Sequence, residues 1–482
     1  MSAPSHGHDA HSAPLPPALT AHVARFVVQA SADQFPADAL DKARKVIADT
    51  FAVILSGADS EVTEPLMRYL ALESGGHSPI LGTDRAASPE TAALINGTFG
   101  HALDFDDVLS MMPAHPSAII VAALIADLGA HPLTGAEFVE AYVVGIEAGA
   151  RIAQGITVGH YQRGFHGTGT LGMFSALTAL AKAWKLDEEH TRVAMGIASS
   201  MASGVRRNFG TMTKPLHTGL AARNAVQALR LALSGFEATQ DSLEAKSGFY
   251  ASYGVPGSNP QVAIDALESP AWVISDPGIA LKKFACCYAS HRAMDAVIRL
   301  REELGASADD VTRLTCRMPP GGMLVLTYPR PVTGLEGKFS LHYPLAAGLL
   351  DGRFTLWSFT DEAVNRPEIA ALYDRIDARE DESCRDLEDP QYESRSSGSR
   401  GWVTVEMELR DGRRASLRVD KAPGHPSREL DWAAIEAKFA DCAQAARLAP
   451  GVADQALAQL HALETCPDVS QLVNILHHGG RA

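Results

Sequence analysis

The sequence has no Cys-x-x-Cys pair. Of its six cysteines, Cys286 and Cys287 are adjacent, while Cys316, Cys384, Cys442 and Cys466 are scattered. So few cysteines in 482 residues do not make a disulfide framework, and without paired cysteines no structural zinc site is expected. No run of about twenty uncharged apolar residues occurs, so no membrane-spanning helix is expected. Met1 to Pro17 is rich in Ser, Ala, Pro and His and has no apolar signal-peptide core, so it reads as a flexible tail on a cytoplasmic protein. His6, His8 and His11 are read as part of that tail rather than as metal ligands. Positive charge is in the minority: 42 Lys and Arg stand against 57 Asp and Glu, a formal net charge of −15. That balance lacks the broad basic face needed to bind nucleic acid, and an anionic ligand would require a locally basic pocket. Aromatic residues make up only 6% of a chain that is 46% hydrophobic, so the core must be built mainly from small and aliphatic side chains.

The length exceeds what one core usually holds, which argues for two domains. Leu19 to Glu268 reads as helices rich in Ala and Gly, and small residues let helices pack closely. Thr134-Gly135-Ala136-Glu137 is a capping box ahead of a helical pattern, and Asp187 caps another. After about Pro277 the pattern changes. Thr312 to Met318 alternates as a half-buried strand does. Trp402 to Arg410 alternates more clearly, Asp411-Gly412 supplies a hairpin turn, and Ala415, Leu417 and Val419 return. Arg379 to Arg400 reads as a long polar loop. Helical spacing resumes from Leu430. The expected organisation is mainly α: a tail over 1–17, a helical domain from both chain ends (18–276 and 425–482), and a smaller α+β domain over 277–424.

Four clusters carry chemistry. In the first, His101, Asp104, Asp106, Asp107 and His115 lie between the apolar runs Ala92–Ile95 and Ile119–Ile125. Charge between core-forming runs is costly to bury and needs a partner or a task. The three carboxylates suit a divalent cation, or else the orientation of a histidine for proton transfer; a solvated helix end is the bland alternative. The second, Gly164 to Gly172, contains Gly-x-Gly-x-x-Gly, but helix rather than strand is expected on both sides, so a dinucleotide site is rejected. Its glycines permit close packing or expose His166. The third, Val205 to His217, gathers Arg206, Arg207, Lys214 and His217, a set suited to carboxylates. The fourth, Leu281 to His291, sets Lys282 near Cys286-Cys287, which read as buried and inert rather than as thiol nucleophiles.

In this order the clusters resemble the MmgE/PrpD family of 2-methylcitrate dehydratase-like proteins. The motifs are Ala93-Leu94-Ile95-Asn96-Gly97, His101 to Asp107, His115-Pro116-Ser117, Gly164-Phe165-His166, Thr213 to Gly219, and Lys338-Phe339-Ser340-Leu341-His342-Tyr343, and the resemblance runs from about Leu19 to Leu476. It implies a helical domain with an inserted α+β lid, a homodimer, and no metal or organic cofactor. It also implies a lyase acting on a small polycarboxylate such as 2-methylcitrate, citrate or cis-aconitate. An epimerase of a compound such as iminodisuccinate is the alternative, and a non-catalytic metabolite-binding homologue a second one. By the same resemblance Asp104, His115, His166, Lys214 and Tyr343 are catalytic. Lys282 binds substrate, together with Arg206 or Arg207, which follow from the basic cluster. In the expected mechanism cations stabilise an enolate, a histidine moves the proton, Asp104 tunes a histidine, and Tyr343 donates a proton or closes the site from the lid. Val108 stands where the decarboxylase branch often has a hydroxyl residue, and the path to His115 is one residue longer, so specificity is expected to be set there. Lys282-Lys283-Phe284-Ala285 likewise replaces that branch's Lys-x-Tyr-Pro.

Overall fold

The computed structural model describes residues 18–390, 392–449 and 451–478. The tail over 1–17, with His6, His8 and His11, lies outside them. Seven helices from the first half frame the site: α1 (Leu19–Gln29), α2 (Ala39–Gly57), α3 (Pro89–Ala102), α4 (Pro116–Asp127), α5 (Gly135–Ile156), α6 (Gly172–Ala183) and α7 (Thr213–Leu233). Every residue of α4 is buried, as its unbroken apolar run requires, and α2, α3, α5, α6 and α7 pack around it. Local chemistry starts these helices. Ser88 accepts from the Thr91 amide with Pro89 in the first helical turn. Thr134 and Glu137 close a reciprocal capping box at α5, and Pro116 occupies the first turn of α4 behind His115.

One contact decides where the site forms. A Cβ on Gly97 of α3 would lie 2.9 Å from the Gly219 Cα, and one on Gly219 of α7 would lie 2.1 Å from the Leu94 carbonyl oxygen. The two helices therefore touch backbone to backbone. That closeness brings His101, in the last turn of α3, against Lys214, in the first turn of α7.

The second half adds α8 (His291–Leu304) and α9 (His342–Asp351), packed on a four-stranded sheet of β1 (Val311–Met318), β2 (Ile376–Glu380), β3 (Val403–Leu409) and β4 (Arg414–Val419). The sheet order is β2-β1-β3-β4. The β1–β2 pair is parallel, with Leu314 opposite Ile376. The other pairs are antiparallel, with Met407 opposite both Leu314 and Ala415. β3 alternates buried and half-buried residues throughout. At the turn into β4, Gly412 takes a φ of 90°, a conformation open to glycine at no steric cost. The chain is mainly α with this α+β portion. The apolar core of the helical part draws on residues 19–285 and again on 435–476, where α10 (Trp432–Ala445) packs on α2. The core around the sheet draws on 284–419.

The segment expected as a loop over Arg379 to Arg400 is more structured. It begins inside β2 and then folds into short 3-10 turns, Glu382–Cys384, Tyr392–Ser394 and Ser397–Ser399. β2 escapes a pattern search because it is five residues long and its exposed end, Arg379 and Glu380, is charged. Among the described residues no helix is long and apolar enough to cross a membrane.

Candidate active site

The four clusters that the sequence separates by nearly two hundred residues converge on one cavity. It is lined by Asp104, Val108, His115, Tyr161, His166, Phe209, Lys214, Lys282, Cys287 and Phe339, among others, and with its opening to solvent encloses about 540 Å³.

Asp104 is the hub. It follows α3 with a φ of 51°, a left-handed conformation that costs a residue with a Cβ free energy and is kept where the surroundings over-determine it. Those surroundings are two lysines. Lys214 Nζ and Lys282 Nζ each donate to Asp104 Oδ1 at 2.8 Å, and Lys282 also donates to the Asp104 carbonyl at 2.9 Å. Burial alone would raise the Asp104 carboxyl, but the two ammonium groups hold it well below the usual carboxylate range. Lys282 keeps its charge firmly: burial works against it, yet Asp104 and Asp106 raise its basicity. Burial lowers Lys214, opposed by Asp104 and assisted by neighbouring Lys282. Phe209 and Phe339 face the Lys214 ammonium with ring centroids 5.2 and 5.1 Å away.

Three histidines surround this hub. His101 accepts from Lys214 Nζ at Nε2, 2.7 Å away, and shares a proton through Nδ1 with Asp106 at 2.8 Å. His115 places Nδ1 2.7 Å from the Asp107 carbonyl oxygen. A carbonyl only accepts, so Nδ1 carries the hydrogen and Nε2 the lone pair. Asp106 Oδ1 stands 3.7 Å from the same ring. His166 places Nδ1 3.0 Å from Nδ1 of His217. Burial pushes all three well below the usual histidine range, seconded by Lys214 at His101 and His166 and by Lys282 at His115. They are neutral at neutral pH. Burial also pushes the Cys287 thiol up to about 11, so it stays protonated at the cavity wall, and Cys286 lies buried against Ser290 and Met294.

Three buried polar atoms of residues lining the cavity, Asp104 Oδ2, His166 Nε2 and the Tyr288 hydroxyl, have no hydrogen-bond partner among the described residues. Unpaired buried polar atoms are costly and mark ligand positions. Donor atoms of His101, His115 and His166, and of His101, Asp104, Asp106 and His115, lie close enough to share a metal ion. However, lysine ammoniums already sit at His101 Nε2 and Asp104 Oδ1, so the arrangement suits an anion better than a cation. Asp107, one of the three carboxylates in the sequence-based cation site, turns away. It accepts from Ser117 Oγ at 2.7 Å and from the Ser117 amide at 3.3 Å at the start of α4. Burial, then Asp106, raises it well above the usual range.

Asp104, His115, His166, Lys214 and Lys282 thus lie together, and three expected residues do not. Tyr343 is fully buried in the core around the sheet, where its hydroxyl donates to the Ser358 carbonyl. It does not reach the cavity, because it faces into α9's own packing. Arg206 stacks its guanidinium 4.5 Å over the Tyr161 ring and donates to the Gln162 carbonyl at 3.4 Å, so it touches the cavity only through Tyr161. Arg207 is exposed. Sequence reasoning counts His101 and His217 in their clusters but gives neither a role of its own. It also missed Lys438 of α10, which donates to the carbonyls of Phe105 at 2.8 Å and Lys282 at 3.0 Å and pairs with Asp49 at 2.7 Å. No local pattern announces Lys438; only the fold brings it near.

The MmgE/PrpD N-terminal domain matches residues 21–260 and the MmgE/PrpD C-terminal domain residues 284–461. Human cis-aconitate decarboxylase is 29% identical over 413 residues, 83% of this chain and 82% of the relative. The mouse protein of that name is 28% identical over 450 residues, 90% and 88% of the two chains. That of Aspergillus terreus (strain NIH 2624 / FGSC A1156) is 25% identical over 428 residues, 84% and 85%. With both domains matched in order across most of its length, the chain belongs to the MmgE/PrpD family.

Proposed function

We propose that the protein is a lyase that decarboxylates a small polycarboxylate of the cis-aconitate type. The observation that carries this reading is the pair of lysines, Lys214 and Lys282, sharing one oxygen of Asp104 beside two neutral histidines in a single cavity. Both ammonium groups line the cavity and are oriented by one oxygen of Asp104, so they offer an anionic substrate direct charge-assisted contacts. The relatives' names add the substrate class.

The chemistry asks for what these groups supply. When the carbon–carbon bond to a leaving carboxylate breaks, its electron pair forms a new double bond and shifts the existing one toward a second carboxylate. Carbon dioxide departs, and one proton must reach the carbon where charge has accumulated. Lys214 and Lys282, already oriented by Asp104, stabilise that enolate-like charge without reorganising. His166 delivers the proton from Nε2. His115 Nε2 presents a lone pair to the free cavity. A bound polycarboxylate raises the basicity of the ring, so His115 takes up a proton on binding and holds a carboxylate, with Asp106 behind it. Val108 and Cys287 line the wall and shape which substrate fits.

One observation favours a second reading, epimerisation of a polycarboxylate. The His115 and His166 rings stand 6.3 Å apart and are inclined at 66°, leaving room for a base and an acid to serve opposite faces of one carbon. Turnover of cis-aconitate, citrate, 2-methylcitrate and iminodisuccinate in deuterated water separates the two. The decarboxylase reading expects carbon dioxide and an alkene carrying one deuterium. Deuterated substrate without carbon dioxide would overturn it in favour of the second.

A further inference from the structure

We infer that His217 is a proton-relay partner of His166, acting from outside the cavity as the residue that sets whether His166 is an acid or a base. The inference rests on the reading that His166 exchanges a proton with the substrate. His217 does not line the cavity; it stands behind His166, with the two Nδ1 atoms 3.0 Å apart and the rings tilted by 57°. The position is built. The His166 amide donates to the Gly204 carbonyl at 3.0 Å. Gly204 has a φ of 123°, and a Cβ there would lie 3.3 Å from the His217 ring. A Cβ on Gly169 would lie 2.2 Å from the Ser203 carbonyl oxygen and 3.4 Å from the His217 Cβ. The backbone thus closes around the imidazole pair.

Two Nδ1 atoms at this distance bind each other only if one of them carries a hydrogen. If His166 Nδ1 carries it, then His166 Nε2, the atom that has no partner in the cavity wall, holds a lone pair and is a base. If His217 Nδ1 carries it, His166 Nε2 holds the hydrogen and is a neutral acid. Passing from the second state to the first gives one proton from His166 Nε2 to the substrate. The His217 Nδ1 hydrogen moves to His166 Nδ1, and one proton arrives at His217 Nε2. One proton enters, one leaves, and neither ring keeps a net charge. His217 retains 4% of its surface against solvent where His166 retains 1%, which places His217 on the outer side of the pair. Burial and Lys214 disfavour an imidazolium at both rings, so the neutral exchange is the available route. His115 has no such freedom, because its Nδ1 faces a carbonyl.

Two measurements test this. The first needs no substrate: in protein labelled with nitrogen-15 at histidine, the His166 and His217 Nδ1 signals at pH 7 should show one protonated and one bare nitrogen coupled across the bond. Finding both bare or both protonated overturns the inference. The second uses cis-aconitate turnover. His217→Asn keeps a side-chain donor and acceptor near Nδ1 but cannot carry a proton onward. It should lower kcat tenfold or more, with KM within twofold and an altered pH profile of kcat. Exogenous imidazole should restore part of the rate of His217→Gly. A kcat within twofold of wild type in His217→Asn, or no imidazole rescue in a folded His217→Gly, overturns the relay. His166→Ala is the control for the underlying reading: if it retains wild-type turnover, proton transfer by His166 fails, whatever His217 does.

Discussion

At the scale of single residues, burial outweighs the compensating contacts at the histidines of the site. His101, His115, His166 and His217 are all held below the ordinary histidine range, so the folded chain resists protons that the unfolded chain accepts. Stability from such groups is present above the unfolded value near 6.5 and is lost as pH falls toward the folded value. For His217 the folded value is about 4, set by burial and then by Lys214. Between pH 6.5 and 4 it should therefore cost wild type up to about 1.4 kcal/mol per pH unit, about 3 kcal/mol over the window. The unfolding free energy of His217→Asn, measured by denaturant titration across this range, should fall less steeply with acid by that amount. Asp106 and Asp107 act with the opposite sign: burial raises both, so their contribution is lost as pH rises. Comparing the variant with wild type cancels them. Removing a group that handles a proton should cost about 10²–10⁴ in rate. Turnover assays of His166→Ala should show a loss in that range, and His115→Ala should lose rate and affinity together.

At the scale of elements, glycine crossings and one buried ion pair hold the constellation. Gly219→Ala places a methyl 2.1 Å from the Leu94 carbonyl oxygen and must push α7 off α3. Overpacking of this kind costs about 1–3 kcal/mol, and because His101 and Lys214 ride on the two helices, thermal melts and kcat should fall together. Lys438 ties α10 to the segment after α3 and to Lys282 through their backbone carbonyls. Lys438→Met strands Asp49 as an unpaired buried carboxylate, at a cost of about 3–5 kcal/mol. The double variant Asp49→Asn with Lys438→Met should recover much of that stability. It should not recover kcat, because the Phe105 and Lys282 carbonyls have still lost their common donor.

At the scale of the whole molecule, recognition depends on how far apart the contributing residues lie. The helix-rich first half, the strand pair around Asp411-Gly412 and the convergence of Asp104, His115, His166 and Lys214 were legible because each has a local signature: a cap, an alternation or a motif. Tyr343 was misplaced because a motif records sequence neighbours and not which way a helix face turns. Its hydroxyl instead closes on Ser358 inside the smaller core. Arg207 was misplaced for a similar reason, since a basic cluster in an acidic chain puts some of its members in solvent. Lys438 was illegible because its role comes from a contact between residues 333 positions apart. The same long reach makes the last segment indispensable. A chain ending after residue 424 would lose α10, expose the α2 face and leave Asp49 unpaired, so it should fail to give a cooperative thermal transition.

The central claim is that Lys214, Lys282 and the histidines around Asp104 form a metal-free site for decarboxylating a small polycarboxylate. The most direct measurement is purified wild type and Lys214→Ala with cis-aconitate in deuterated water after exhaustive chelation, followed by proton NMR and carbon dioxide release. The account predicts stoichiometric carbon dioxide and a singly deuterated alkene from wild type, and a loss of at least a hundredfold in Lys214→Ala. Unchanged cis-aconitate, or equal turnover by the variant, would contradict it.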